Sequence, residues 1–464
     1  MHDPYDVIIV GAGIGGLCAA IQAASDGART LLLEKGERYG GSTRMAGGAF
    51  AFAGTDLQQR AGIDDSAERL AADLIKVGRS LNDPALVQTF AGRQLEACRW
   101  LLGLGLSFHT VALSGGQSVP RNHSLNPVAM LDTLHRRAID AGVAYRSAAP
   151  VARLVAERGP RGARVTGVEL ADGGRIPARG GVILATGGFS RNMDLVMRFA
   201  PHLRNALPMG GPHNTGDGLR MAWALGADLL DMGQVKGTFG VPTGTPLPGC
   251  EDEAPKLISA MYKGAVIVNG QGRRFVDESV SYKLIGDRCL EQPDAKAFQL
   301  FDASVMAQSS EMPTVSDYRR ALRTGLLVEA TTIDDLAVRI GVDAATLAQT
   351  IDRYNRACDG ELPDEFGRTS LGTGFGKPRR IETAPFHALA CTTGLTSTYC
   401  GLKTDTTARV VDVFGDLIAG LYAVGEIMGG FHGEAYMSGS SLAKAVVFAR
   451  IAAADAARAA ATAA

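Results

Sequence analysis

The feature that most constrains the fold is a glycine-rich turn at residues 11–16, which reads GAGIGG and fits the spacing GxGxxG. An apolar run at residues 6–10 precedes the turn and predicts a buried parallel strand, and residues 14–24 have helical composition. A second apolar run at residues 30–33 completes a strand–turn–helix–strand unit. In such a unit the first glycine permits the tight turn, the second lets a pyrophosphate approach the backbone, and the last lets the helix pack closely on the strand. The glycines of the turn are Gly11, Gly13, Gly15 and Gly16.

The residues after the turn extend the prediction from a dinucleotide site to an FAD site. Glu34 ends the second strand about 20 residues on, where a ribose hydroxyl needs an acceptor. A second glycine-rich loop at residues 40–48 suits a longer ligand, and the glycine segments at residues 185–189 and 420–426 agree with it. A helix that begins near Ser440 would direct its positive N-terminus at the flavin. The other residues assigned to FAD are Lys35, Gly41, Ser42, Thr43, Gly47, Gly48, Ala185, Thr186, Gly187, Asp217, Gly425, Glu426, Ser441 and Leu442.

Length, charge and cysteine content bound the class of protein. A chain of 464 residues favours two domains, and 46% hydrophobic with 20% charged residues is ordinary for a soluble globular protein. A net charge of −1 argues against a nucleic-acid partner and against an anionic membrane surface. The seven cysteines contain no CxxC pair, so we expect reduced structural thiols in a cytoplasmic protein, with no metal site. No signal peptide and no run of about 18 uncharged apolar residues is found, so no membrane span is expected.

The pattern along the chain predicts an α/β protein in which one domain interrupts another. Residues 1–230 are expected to form the first part of a Rossmann-like FAD-binding domain, and residues 231–389 an inserted α+β capping domain that holds the substrate. Residues 390–464 then complete the FAD-binding domain, because a buried-strand pattern returns at residues 420–424. The alanine-rich end from Ala457 is expected to be a fraying helical tail.

Four segments resemble the flavoprotein family of soluble fumarate reductases, succinate dehydrogenase flavoprotein subunits and 3-ketosteroid dehydrogenases. They are the N-terminal fingerprint with its GGST loop, residues 214–218 (NTGDG), residues 272–278 (GRRFVDE) and residues 425–426 (GE). The resemblance covers nearly the whole chain. It implies an FAD domain of the GR2 type that is split in sequence, a capping domain between its parts, and an active site where the two meet. Members with covalent FAD carry a histidine shortly after the GGST-like loop, and residues 43–46 contain none, so the resemblance implies non-covalent FAD.

The resemblance argues against a dicarboxylate substrate. Fumarate reductases use arginines and histidines to clamp two carboxylates, and one arginine delivers the proton. In this sequence Tyr282 stands at the position of the proton-delivering arginine and Tyr436 at that of a carboxylate-binding arginine. Lys236 stands where one substrate histidine would be, and the other falls near Ser397 or Thr398. A dicarboxylate needs bidentate cationic partners, which these mostly neutral hydroxyls do not offer.

The two tyrosines instead resemble the ketosteroid dehydrogenase branch, which removes hydrogens from the carbons α and β to a ketone. By resemblance Tyr282, as phenolate, would take the α-proton and flavin N5 the β-hydride. Tyr436 and the backbone N–H of Ser440 would bind the carbonyl and stabilise the enolate, although glycine is usual at the serine position. A tyrosine with a pKa near 10 needs a cationic neighbour or a helix dipole to act as a base. Lys236 and Lys283 are candidates, and we expect Lys236 to lie near Tyr282.

Three more residues are candidates for shaping the site. Tyr399 lies where the chain re-enters the FAD-binding domain, and it could either line the substrate pocket or be purely structural. His432 lies in the segment Gly430–Gly433 (GFHG), and by resemblance it lies beside the flavin and orients it rather than acting as a base. His123 resembles a family segment near the cofactor and is interpreted as structural or cofactor-shaping.

Three functions remain open from the sequence. The leading one is an FAD-dependent desaturase of a small-molecule cyclic ketone, such as a 3-ketosteroid or a substituted cyclohexanone. The alternative is an FAD-dependent alkene reductase of the fumarate or urocanate reductase type. A flavoprotein electron carrier is disfavoured by the near-neutral charge and by the apparent cap, since a cap shields chemistry from water. The electron acceptor, whether oxygen, a quinone or a redox protein, stays open.

Overall fold

A computed structural model of the protein describes residues 4–159, 162–251, 253–311, 314–372 and 375–463. Its strands, in chain order, are β1 (Tyr5–Val10), β2 (Thr30–Leu33), β3 (Ala49–Ala51), β4 (Thr110–Ala112), β5 (Asn122–Ser124), β6 (Ala144–Arg146), β7 (Val151–Gly159), β8 (Gly162–Leu170), β9 (Arg175–Leu184), β10 (Leu207–Pro208), β11 (Leu229–Leu230), β12 (Thr238–Pro242), β13 (Val266–Asn269), β14 (Ala297–Phe301), β15 (Leu327–Ala330), β16 (Phe386–Leu395), β17 (Gly401–Leu402), β18 (Arg409–Val411) and β19 (Leu417–Ala423).

The α-helices are interleaved with these strands along the whole chain. In chain order they are α1 (Ile14–Ser25), α2 (Asp56–Arg60), α3 (Ala67–Val77), α4 (Pro84–Gly103), α5 (Pro127–Asp140), α6 (Met193–Phe199), α7 (Asp217–Trp223), α8 (Tyr282–Leu290), α9 (Ala303–Met306), α10 (Tyr318–Arg323), α11 (Ile333–Ile340), α12 (Ala344–Cys358) and α13 (Ser440–Ala463).

The chain divides into two compact units. The first unit comprises residues 1–200, 209–235 and 396–464, and the second comprises residues 201–208 and 236–395. The expected boundaries, after residues 230 and 389, lie within six residues of the division after residues 235 and 395. The assignment of residues 201–208 to the second unit was not expected. They belong to it because β10 pairs with the end of β16.

The first unit is built on a parallel sheet with the strand order β19–β9–β1–β2–β6. The β7–β8 hairpin and β18 extend this sheet with antiparallel pairs. The predicted strand–turn–helix–strand unit is present as β1, α1 and β2, which confirms the α/β class and the Rossmann-like core. Strands β1 and β2 are buried along most of their length because helices such as α1 and α13 cover the sheet.

The C-terminal helix is buried as far as Ala460, so the expectation of a tail that frays from Ala457 is wrong. Helix α13 runs to Ala463, and Ala457 and Ala460 retain only 8% and 3% exposure. The close contact depends on a glycine in β9, because a Cβ atom at Gly180 would lie 2.2 Å from the carbonyl oxygen of Ala456. The alanine composition that suggested fraying is what allows the helix to lie so close to the strand.

The second unit is a sheet with a hydrophobic cluster on each face, and all its strand pairs are antiparallel except the parallel pair of β10 with β16. Strand β16 pairs with β10, β12, β14 and β15, and β13 pairs with β14. Strand β13 shows why both faces are apolar: Ile267 joins one cluster, while Val266 and Val268 join the other. Helix α8 contributes to the first cluster, and helices α11 and α12 contribute to the second.

A buried ion network holds the GRRFVDE segment in the second unit. The carboxylate of Glu278 accepts from Arg274 at 2.8 and 2.7 Å and lies 3.3 Å from a guanidinium nitrogen of Arg368. Arg274 also donates to Asp364 at 2.7 Å, so two arginines face two carboxylates. The backbone N–H of Ile267 donates to Glu278 as well, at 3.1 Å, which ties β13 to the network.

Replacing Glu278 with glutamine should destabilise the protein severely. The amide keeps the shape but leaves two buried guanidinium groups short of one negative charge, and such a loss costs about 3–5 kcal/mol. Urea unfolding measures the effect. The matched control is Glu291→Gln, whose carboxylate pairs with Arg288 at the surface and is 58% exposed, so that its loss should cost under about 1 kcal/mol. Equal effects of the two variants would contradict the interpretation.

Candidate cofactor and active site

Two positions in the first turn require glycine, because other backbone atoms lie too close there to leave room for a side chain. Gly11 has φ +101°, and a Cβ atom there would lie 2.5 Å from the carbonyl oxygen of Ala185. A Cβ atom at Gly16 would lie 1.8 Å from the carbonyl oxygen of Gly11. Gly13 is the N-cap of α1 and makes no side-chain cap bond, so the positive end of a twelve-residue helix remains available to an anion. The turn has the geometry that a pyrophosphate needs.

Glu34 and Lys35 lie at the end of β2, as the sequence suggested. The Glu34 carboxylate accepts from the N–H groups of Ala12 and Gly36, both at 2.8 Å. Each carboxylate oxygen keeps a second lone pair for a ribose hydroxyl. Lys35 and Asp217 were both assigned to the cofactor, and the structure joins them directly, with Nζ 2.6 Å from Oδ2.

A buried polar chain connects the GGST loop to the Gly–Glu segment. Asn214 donates to the Ser42 hydroxyl at 3.1 Å and to the Glu426 carboxylate at 2.9 Å. The other oxygen of Glu426 accepts the backbone N–H of Thr398 at 2.8 Å. Asn214 belongs to the resembling segment 214–218, but no role was predicted for it, and Thr398 was noted only as a position near which a fumarate reductase has a substrate histidine. The structure shows that both fix the carboxylate of a predicted cofactor residue.

The remaining predicted cofactor residues are all in the first unit. The Thr186 hydroxyl is buried without a hydrogen-bond partner among the described residues, as a group that awaits a ligand would be. Gly48 has φ +70°, and a Cβ atom there would lie 1.9 Å from the Leu125 carbonyl, whereas Gly41 and Gly47 have open space. The glycine turn, the spare lone pairs of Glu34 and the unsatisfied Thr186 hydroxyl together fit FAD. The others in this group are Gly15, Thr43, Ala185, Gly187, Gly425, Ser441 and Leu442.

Three aromatic residues cluster at the start of α13. The rings of Tyr399 and Tyr436 stack with centroids 4.7 Å apart and planes 20° apart. His432 contacts both rings edge-on, at centroid distances of 5.1 and 5.5 Å. Tyr399, which was expected either to line a pocket or to be purely structural, therefore contacts the proposed carbonyl-binding residue Tyr436 directly. His123 lies apart from this cluster and hydrogen-bonds Thr55 at 2.7 Å.

The Tyr436 hydroxyl accepts two backbone N–H groups. The N–H of Gly439 donates to it at 2.9 Å, and the N–H of Ser441 also donates to it. Burial raises the pKa of Tyr436 to about 12, although these two hydrogen bonds lower it. The phenol is therefore protonated at neutral pH and has its O–H proton to donate.

The expectation for Ser440 needs correction. Its backbone N–H was assigned to a substrate carbonyl, but it donates to the carbonyl oxygen of Met437 at 3.2 Å. The Ser440 hydroxyl donates to the same oxygen at 2.7 Å. The reason is that the chain closes a turn here before α13 begins. The backbone donor next in sequence, at Ser441, is directed at Tyr436 instead.

Tyr282 is the first residue of α8 in the second unit. Ser281 caps this helix by accepting the N–H of Lys283 at 3.3 Å. The Lys283 ammonium lies 5.5 Å from the centroid of the Tyr282 ring, while Lys236 forms an ion pair with Asp287 at 2.9 Å. Both lysines were candidates as neighbours of Tyr282, and Lys236 was the expected one. The structure places the Lys283 ammonium over the ring, and Lys236 reaches the same helix at Asp287. The expected proximity of Lys236 to Tyr282 stays a prediction.

A buried lysine was missed by the sequence analysis. The Lys444 side chain is fully buried in α13 and donates to the carbonyl oxygen of Met428 at 3.0 Å. Burial lowers the pKa of Lys444 to about 8, against the opposing effect of the negative charges on Glu426 and Asp231. Burial also raises the pKa of Asp231, which accepts the N–H of Gly430 at 2.9 Å. The available signal was a single lysine in the apolar stretch from residue 440 to 456.

The comparisons with known proteins agree with this site. The FAD binding domain family matches residues 6–442, and the chain belongs to it. A fumarate reductase (cytochrome) from Shewanella frigidimarina is 30% identical over 98% of this chain and 78% of its own length. The solved open conformation of a flavocytochrome c3 fumarate reductase superposes with a TM-score of 0.82 at 29% identity, covering 99% of this chain and 79% of that one.

A second solved structure represents the dehydrogenase branch. The 3-ketosteroid-Δ4-(5α)-dehydrogenase from Rhodococcus jostii superposes with a TM-score of 0.76 at 26% identity, covering 98% of this chain and 97% of that one. These similarities confirm the resemblance and the FAD cofactor. The protein is an FAD-dependent oxidoreductase of the family that acts on CH–CH and C=C groups.

A further point about the described residues concerns membrane spans, metal sites and disulfides. No helix in the described part of the chain is long and apolar enough to cross a membrane. Within the same residues, no group of three or more histidine, cysteine or acidic side chains could hold a metal ion. All seven cysteines are unpaired.

Substituting Gly11 with alanine should abolish FAD binding. The new methyl group would press on the carbonyl oxygen of Ala185, and the turn could not keep the shape that a pyrophosphate needs. The ratio of flavin to protein absorbance after purification measures the effect. The control is Gly27→Ala, which also has positive φ, at +85°, but has nothing within 4 Å of the added methyl group. Equal FAD retention in both variants would contradict the role of the turn.

The stability contributed by Lys444 should depend on pH. Its folded pKa of about 8 lies below the ordinary lysine pKa of 10.5, so the folded protein binds fewer protons than the unfolded chain between these values. The stability of the wild type relative to Lys444→Met should therefore rise from pH 8 to pH 10. Melting temperatures measured across this range, with exposed Lys76→Met as the control for charge removal, test the expectation. A difference that is constant with pH would contradict it.

Proposed function

We propose that this protein is an FAD-dependent desaturase that removes the α and β hydrogens of a cyclic ketone, such as a 3-ketosteroid or a substituted cyclohexanone. The observation that carries the proposal is the Tyr436 hydroxyl, a neutral donor with a pKa of about 12 where a fumarate reductase would have a cationic arginine. A neutral hydroxyl suits a ketone oxygen, whereas a carboxylate favours a bidentate cation.

The backbone around Tyr436 is suited to stabilise charge on a carbonyl oxygen. The hydroxyl oxygen accepts the N–H groups of Gly439 and Ser441, and these bonds polarise its own O–H. The hydroxyl also lies at the positive end of α13, a helix of 24 residues. As the α-proton leaves, the enolate oxygen gains negative charge, and a donor held in place in this way is worth most at that stage.

Tyr282 is proposed as the base that takes the α-proton. It is the first residue of α8, where the helix dipole is positive, and the Lys283 ammonium lies 5.5 Å from its ring centroid. Both features favour a phenolate over a neutral phenol. Lys283 is almost fully buried and donates to the Thr238 hydroxyl at 2.6 Å, so its position is fixed.

FAD, when bound, supplies the acceptor for the β-hydride. The residues of the first unit bind it through the glycine turn and the carboxylate of Glu34. We propose that FAD is held non-covalently, because residues 43–46 contain no histidine. Acid precipitation of the holoenzyme should then leave all of the flavin in the supernatant.

Anaerobic mixing with a cyclic ketone tests the proposal directly. A panel of 3-ketosteroids and substituted cyclohexanones should include a compound that bleaches the oxidised flavin band. Tyr436→Phe should slow the bleaching by about 10²–10³-fold, the cost of losing one oxyanion donor. Tyr282→Phe should slow it by about 10²–10⁴-fold, the cost of losing a general base.

Tyr318→Phe is the matched control for the loss of a buried phenol hydroxyl. Tyr318 lies in the core of the second unit, and its side chain is fully buried. This variant should bleach at the wild-type rate. If Tyr436→Phe and Tyr282→Phe also bleach at that rate while retaining FAD, the assigned roles are wrong.

An alkene reductase is the second candidate, since the 30% identical relative is named a fumarate reductase. The two activities differ in the direction in which electrons flow through the flavin. The reductase would be favoured by two results together. Chemically reduced enzyme would be reoxidised by fumarate, urocanate or another enoate, and oxidised enzyme would not be reduced by any ketone of the panel.

A further inference from the structure

The first unit carries an open surface pocket of about 530 Å³ between α6 and α7. This volume is within the range of small-molecule sites. None of the residues assigned to FAD or to the tyrosine cluster lines it. The lining residues are Asn192, Asp194, Leu195, Arg198, Arg220, Trp223 and Ala224.

Two arginines give the pocket its positive charge. Neither Arg198 nor Arg220 forms an ion pair with a carboxylate in the described part of the chain, and both side chains are exposed. The guanidinium carbon of Arg198 lies 4.8 Å from the centroid of the Trp223 ring. A guanidinium stacked on an indole keeps its N–H edges in the plane of the group, where a carboxylate or phosphate can accept from them.

The walls of the pocket are fixed by contacts on the far side from solvent. Asn192 donates to the carbonyl oxygen of Thr215 at 3.0 Å and accepts the N–H of Leu195 at 3.2 Å. The Phe199 ring contacts Trp223 at a centroid distance of 5.8 Å. The pocket is therefore preformed, and a ligand would not need to order it.

We propose that this pocket binds a small molecule that carries an anionic group on a planar ring, the anionic group being a phosphate or a carboxylate. The two arginines bind the anion. The stacked arginine–tryptophan pair and Leu195 provide the apolar surface for the ring. Asp194 on the rim opposes a second negative charge, which favours a ligand with one anionic group. The inference is independent of the proposed ketone chemistry.

Isothermal titration of the FAD-loaded protein tests the proposal. The probes are adenosine monophosphate and benzoate, which distinguish a phosphate from a carboxylate, with adenosine and inorganic phosphate as the isolated ring and anion. One of the two complete probes should bind, and each isolated part should bind at least about tenfold more weakly. Arg198→Met and Arg220→Met should each weaken binding by about tenfold or more, as expected for a charged hydrogen bond.

Two further variants separate binding in this pocket from general charge effects. Asp194→Asn should tighten binding by removing the opposing charge, and Arg319→Met, an exposed arginine of the second unit, should leave it unchanged. Retention of the flavin absorbance throughout excludes displacement of FAD. The proposal is overturned if neither complete probe binds at millimolar concentration, or if both arginine variants of the pocket bind the probe as tightly as the wild type does.

Discussion

The first unit depends on the close approach of the Gly11–Gly16 turn to its neighbours. The carbonyl oxygen of Gly11 lies where a Cβ atom of Gly16 would be, and Ala185 closes on Gly11 from the end of β9. Because these contacts leave no room for side chains, β1, α1 and β9 can meet only in one arrangement. That arrangement sets the direction of α1, whose N-terminus carries the positive potential on which a pyrophosphate depends.

Helix α13 links this constraint to the proposed chemistry. Its small residues allow it to lie on β9 at Gly180, and a Cβ atom at Gly15 would lie 3.8 Å from the Cβ of Ala445. The same helix directs the N–H of Ser441 at the Tyr436 hydroxyl and buries Lys444 one turn further on. Helix α13 thus packs against the cofactor turn, supplies a backbone donor to the proposed carbonyl-binding tyrosine and contains a buried lysine.

Much of the fold could be predicted because strong local signals coincide with tertiary requirements. Strand β2 was predicted with its observed bounds, and α1 was predicted to within one residue. The assignment of residues 201–208 to the second unit could not be predicted. The two residues of β10 are too few to show a periodic pattern, and they pair with a strand almost two hundred positions later. The prediction that the alanine-rich C-terminus frays was wrong for a related reason. The sequence alone does not show that this helix packs against Gly180.

In the candidate site, too, some features could be predicted from the sequence and others could not. The sequence by itself determined the FAD cofactor and the residue types at the active positions, since glycine spacing and the change from arginine to tyrosine are local facts. Only the tertiary structure decided which groups are partners: the Lys283 ammonium lies over the Tyr282 ring, Lys236 pairs with Asp287, and Ser441 rather than Ser440 supplies a donor at Tyr436. The physical reason is that hydrogen bonds and pKa values depend on distance and burial, which the fold sets between residues far apart in the chain.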